Sequence, residues 1–178
     1  MREKERKVSK KRSHLKEFKR REDGSYSYEG KMLYCSLSGS AYRNRVLGML
    51  LISMAALGVT VTAGCFTGTG MEGHFYLVIP YAGTLVILIR LVWNLAQLLH
   101  AGPVLREYAY KRTAERLPPQ VLGGMLLPLL ALAGVLYGRV KGSYIGNGAG
   151  AVVFVLSQVV SFAGCLTVWL LKKELRWS

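Results

Sequence analysis

The chain has 178 residues, of which 51% are hydrophobic, and a net charge of +14 from 24 Lys and Arg against 10 Asp and Glu. That apolar content excludes disorder along the whole chain, and three scattered cysteines exclude a disulfide scaffold. High hydrophobicity and high charge in one short chain imply that the two are segregated along it.

Residues 1–45 form a basic segment holding 14 of the 24 Lys and Arg. Residues 1–22 have few apolar side chains, among them Val8, Leu15 and Phe18. Such a composition cannot bury a core and predicts disorder or a loose helix. In residues 24–35, Tyr26 and Tyr28 mirror Met32 and Tyr34 around Glu29-Gly30, a pattern that suggests a small β-hairpin. Two strands alone are marginal in stability.

Four apolar blocks follow, at 46–66, 75–99, 119–138 and 148–171. A bilayer core of about 30 Å needs about 20 apolar residues in a helix, and each block meets that length. The runs are continuous instead of alternating, so helices are expected and a barrel is not. Pro80 and Pro128 fall inside the second and third blocks and predict local kinks. The connectors 67–74, 100–118 and 139–147 are short, and residues 172–178 make a basic tail. The expectation is an all-α membrane protein: a bundle of four transmembrane helices with a basic cytoplasmic N-terminal segment. The first block begins too late and runs too long for a cleavable signal and reads as an uncleaved anchor.

Lys and Arg near helix ends favour the cytoplasmic side. With four alternating helices, 21 of the 24 basic residues fall on one side: those of residues 1–45, Arg106, Lys111, Arg112 and Arg116 in the middle connector, and the three in the tail. The other side receives Arg139 and Lys141. The protein is thus expected in the cell membrane, multi-pass, with both termini cytoplasmic. Aromatic residues agree with these boundaries, with Phe66, Phe75, Tyr76, Tyr137 and Tyr144 on one side and Tyr42, Trp93, Trp169 and Trp177 on the other. The basic segment reads as a topology signal attracted to anionic headgroups, at about 1 kcal/mol per charge. No recognition helix or aromatic platform accompanies it, so nucleic acid is not an expected partner.

Arg90 is the single charge within a block, and Asn94 and Gln97 follow at i+4 and i+7 on one helical face. A guanidinium offers a planar donor fork to a carboxylate, phosphate or lipid headgroup. Arg90 also lies about 9 Å of helix from the expected hydrocarbon boundary near Ala96, within snorkelling range. The sequence leaves both roles open. No block contains Asp or Glu, which argues against proton-coupled transport. His74 and His100 lie at opposite ends, and the cysteines form no C-x-x-C, so neither a metal site nor another cofactor is expected.

Small residues recur on helical stripes: Gly48, Ala55, Gly58 and Thr62 in the first block; Gly124, Pro128, Ala131 and Gly138 in the third; Gly150, Ser157, Ser161 and Gly164 in the fourth. Such stripes let helix backbones approach one another, within the bundle or between copies. Together these features suggest a non-enzymatic integral membrane protein, an accessory or regulatory subunit of a transport or envelope complex. Its expected partners are the bilayer and other membrane subunits or further copies of itself. The alternative is a small transporter or channel-like protein with an anion or lipid headgroup site around Arg90, Asn94 and Gln97.

Overall fold

The computed structural model describes residues 18–20, 26–28, 31–71, 73–142 and 148–177. The expectation of disorder or a loose helix before residue 18 lies outside these residues. Four long helices dominate: α1 (Gly39–Cys65), α2 (Phe75–Ala101), α4 (Leu117–Val140) and α5 (Gly148–Lys172). At 1.5 Å per residue the 27-residue α1 and α2 are each about 40 Å long, and all four helices are long and apolar enough to cross a bilayer. This suggests a multi-pass membrane protein.

The helices overrun the apolar blocks. α1 begins at Gly39, seven residues before the uncharged run, because Tyr42 is buried there and its hydroxyl donates to the Leu98 carbonyl at 2.9 Å. α4 starts with Pro118 and Pro119 in its first turn, where a missing N–H costs no helical bond. α2 and α4 continue through Pro80 and Pro128, and both proline positions are buried.

Each long helix packs on two others, so the ring order is α1, α2, α4, α5. Consecutive spans are neighbours, giving an up-and-down four-helix bundle. Its packing suits a lipid solvent. Leu51, Ile79, Leu130, Leu136 and Leu156 are more than half exposed, whereas Ser53, Thr60, Thr84, Ser157, Gln158 and Ser161 are buried. In water the reverse distribution is expected; in lipid, polar side chains belong inside, where they bond across helices.

Two of the three small-residue stripes face inward. Gly124, Pro128, Ala131 and Gly138 are buried on α4, and Gly150, Ser157 and Ser161 are buried on α5. A Cβ on Gly124 would stand 2.6 Å from Cys165 Sγ, and one on Gly164 would lie 3.2 Å from Ala56 Cβ. The α1 stripe does not face the bundle. Ala55, Gly58 and Thr62 are exposed, nothing lies within 4 Å of a Cβ built on Gly48 or Gly58, and the buried face is Val46, Met49, Ser53, Ala56 and Thr60. Apolar residues surround α1 on every side, so the small residues alone did not identify its inner face.

At one end the chain builds a collar. Strand β3 (Met32–Tyr34) pairs antiparallel with β4 (Val104–Arg106), with Leu33 opposite Leu105. The short helix α3 (Glu107–Arg112) and a 3-10 turn (Ala114–Arg116) then lead into α4. The Cys35 N–H donates to the Pro103 carbonyl and the Ser36 N–H to the Arg176 carbonyl, both at 2.9 Å. Trp177 stands edge-on to Tyr42 and Tyr110, with ring centroids about 6 Å away, and Arg45 pairs with Glu174. The N-terminal segment, the middle connector and the tail therefore meet at the same end of the bundle.

The strand pairing corrects the expected hairpin at 24–35. Tyr26–Tyr28 (β2) pairs with Phe18–Arg20 (β1), and Met32–Tyr34 pairs with the distant β4. An isolated hairpin has nothing to rest on, whereas β4 is anchored by Leu105, which is buried in the main core.

Candidate functional site

Two groups of polar side chains occupy the bundle, and they differ in how well each is satisfied. The first lies along α1, α2 and α5. The Thr60 and Ser161 hydroxyls are hydrogen-bonded at 2.6 Å, and Thr60 Oγ1 also donates to the Ala56 carbonyl at 2.7 Å. The Tyr81 hydroxyl donates to the Thr60 carbonyl at 2.8 Å. Ser157 Oγ donates to the Phe154 carbonyl at 2.7 Å and accepts from Gln158 Nε2 at 3.1 Å. Gln158 Oε1 is the exception: it is buried and has no hydrogen-bond partner among the described residues. Apart from that atom, these groups are satisfied, across helices at Thr60, Ser161 and Tyr81 and within α5 at Ser157, and leave little to offer a ligand.

The second group lines a pocket of about 590 Å³ at the collar end. One wall is the α2 face predicted from spacing: Arg90, Asn94 and Gln97 all line the pocket. Trp93, at i+3 from Arg90 and 65% exposed, stands beside them. Arg112, the last residue of α3, and Arg116, from the turn before α4, supply two further guanidiniums. Gln120, in the first turns of α4, closes the polar side, and its Oε1 accepts a 2.7 Å bond from Asn94 Nδ2. That bond fixes α2 to α4 at the pocket and orients both carboxamides. Leu57, Ile89 and Val92 make the remaining side apolar.

The electrostatics follow from what is missing around the three arginines. Among the described residues none of Arg90, Arg112 and Arg116 has a carboxylate partner; the described ion pairs are Arg45–Glu174 and Lys111–Glu107. No Asp or Glu lines the pocket. Three guanidiniums in one concave site repel one another and create a positive potential, focused by the apolar wall. Chemically the pocket offers planar donor forks and neutral amides to an anion, with an apolar surface alongside.

The structure thus brings Arg90, Asn94 and Gln97 together and adds Arg112, Arg116 and Gln120, which the sequence did not single out. By sequence alone the two connector arginines count as topology charges. The available signal was their i, i+4 spacing in the segment that follows α2, on the same side as the Arg90 face. Arg90 is exposed, lies about three turns before the end of α2 and lines this pocket. His74 and His100 lie at opposite ends of α2, and no three described His, Cys, Asp or Glu side chains gather into a metal-binding group. No protein-family model matches this chain, and no curated protein or solved structure matches it either.

Proposed function

We propose that the chain is a non-enzymatic subunit of a cell-membrane transport or envelope complex, and that it contributes an anion-recognition site on the cytoplasmic side. The observation that carries this reading is the convergence of Arg90, Arg112 and Arg116 on one pocket without a carboxylate partner among the described residues. Unpaired charges at the edge of a bilayer are costly to keep, and such residues mark binding sites by default. The cytoplasmic assignment rests on charge: the collar end gathers Lys31, Arg43, Arg45, Arg106 and the pocket arginines, against Arg139 and Lys141 at the far end. The accessory role is supported by the filled interior, where Leu88, Leu91, Leu95, Met49 and Phe154 are fully buried. A small transporter would use the same pocket as an entry site.

Purification from native membranes in mild detergent tests the accessory role; co-purification with defined membrane subunits is expected, and intrinsic anion flux by the lone protein in liposomes overturns it. Orientation is read by a C-terminal reporter, whose activity on the outer side reverses the assignment. For the site, Arg112→Gln/Arg116→Gln is expected to lose thermal stabilisation by inorganic phosphate, pyrophosphate and anionic lipid alike. Arg43→Gln, an exposed arginine outside the pocket, is expected to retain it.

A further inference from the structure

Building on the anion-site reading, we infer that the pocket takes the head of a membrane lipid whose phosphate carries more than one negative charge, such as a phosphomonoester or diphosphate lipid. Three features of the pocket separate this ligand from a free anion or a singly charged lipid.

The first is size and shape. The volume of about 590 Å³ is roughly twenty water volumes. A small inorganic anion leaves most of that space to solvent. The cationic groups are also spread along the bundle axis. Asn94 on α2 is bonded to Gln120 on α4, and from that level Arg90 lies one turn away from the collar and Arg116 one turn toward it, about 12 Å apart along the axis. A ligand that fills this space extends along the helix axes from the guanidiniums, as a lipid does from its phosphate.

The second is the division of the walls. Arg90, Asn94, Gln97 and Gln120 line the same space as Ile89, Val92 and Leu57. Ile89 and Trp93 are also among the exposed apolar side chains of α2, at 55% and 65% exposure, so the apolar wall continues into the face that meets the acyl chains. An indole at the interface suits a ligand that is polar at one end and apolar at the other. A hydrophilic anion gains nothing from that wall.

The third is charge. The pocket carries three permanent positive charges, since arginine stays protonated. A phosphodiester with one negative charge leaves two guanidiniums uncompensated. A phosphomonoester, with about 1.5–2 negative charges near neutral pH, or a diphosphate compensates most of them. Bidentate guanidinium–phosphate geometry then satisfies several donors at once. The carboxamides supply neutral bonds, and the Asn94–Gln120 bond holds them ready before the ligand arrives.

Native mass spectrometry of the full chain in detergent, titrated with defined probes, tests this. Dioleoyl phosphatidate carries the monoester and the chains, dioleoyl phosphatidylglycerol a diester, and dioleoyl phosphatidylcholine no net charge. Glycerol 3-phosphate and inorganic pyrophosphate carry the charge without chains. Phosphatidate is expected to bind at least tenfold tighter than phosphatidylglycerol and than glycerol 3-phosphate, and to lose at least tenfold in Arg90→Gln and in Arg112→Gln/Arg116→Gln but not in Arg43→Gln. Helicity and gel-filtration profiles identify any variant that fails to fold, and for these Arg112→Lys replaces it, with a smaller loss expected because the fork is gone but the charge remains. Equal affinity for glycerol 3-phosphate or pyrophosphate and for phosphatidate overturns the lipid inference while leaving the anion site standing. Equal affinity for phosphatidylglycerol and phosphatidate overturns the charge count. Absence of binding by every anionic probe, or identical binding by all variants, overturns both the inference and the anion site.

Discussion

The polar side chains of the bundle fall into two regions that follow opposite rules. Along the inner faces of α1, α2 and α5, hydroxyls are buried and bonded to one another, to carbonyls one turn away or to a carbonyl of the neighbouring helix, as in Thr60–Ser161, Thr60–Ala56 and Tyr81–Thr60. At the collar, Arg90, Arg112 and Arg116 are long, charged and without carboxylate partners among the described residues, around a hollow instead of a contact. The first arrangement costs little in lipid and yields helix–helix adhesion, worth about 0.6–2 kcal/mol per bond. The second holds like charges together, which no packing role requires. The difference separates what builds the bundle from what the bundle presents.

Reversing the charges at the collar gives the largest expected effect. Arg90→Glu/Arg112→Glu/Arg116→Glu replaces three cations by three anions, and anionic-lipid binding should fall by a hundredfold or more, about 2.7 kcal/mol, with helicity by circular dichroism unchanged. If that binding survives, the two regions do not differ in function. The wild-type affinity should also drop as salt rises, because the outer arginines are open to screening.

Next comes packing. Gly124→Ala places a Cβ 2.6 Å from Cys165 Sγ between α4 and α5, and overpacking of this kind costs about 1–3 kcal/mol. The thermal midpoint in detergent should fall. Gly58→Ala is the matched control on the exposed face of α1, where the added methyl has open space. There the helix propensity gain of up to about 1 kcal/mol should leave the midpoint equal or higher. A fall at Gly58 would place a second copy or another subunit on that face, with gel filtration reporting the change in size.

Smaller effects are expected inside. Thr60→Val and Ser161→Ala should each cost about 1 kcal/mol, and the double variant should cost less than their sum because one hydrogen bond is removed twice. Gln158→Leu should raise the midpoint slightly, since Gln158 Oε1 is buried without a partner among the described residues and an unsatisfied group costs about 1–3 kcal/mol. None of these three changes should alter lipid binding. Any that does would tie the interior to the collar pocket.

The amino-acid sequence by itself determined the number of spans, their approximate bounds and the gathering of charge at one end. Run length against bilayer thickness and the count of Lys and Arg are local properties, so no partner segment is needed to read them. It also determined that Arg90, Asn94 and Gln97 share a face, because helical spacing alone fixes that. It did not reveal which side of α1 packs inward, since Leu and Met surround that helix and carry no directional signal. Tertiary structure decided that Ala56 and Thr60 face the core and Gly58 does not. It decided that Met32–Tyr34 pairs with Val104–Arg106, about seventy residues away, instead of with its neighbour. That same pairing holds β4 and α3 at the collar, beside the end of α2. Arg112 and Arg116 thereby meet Arg90 across a single pocket, a juxtaposition that depends on loop closure and helix order and is written in no local stretch of the chain.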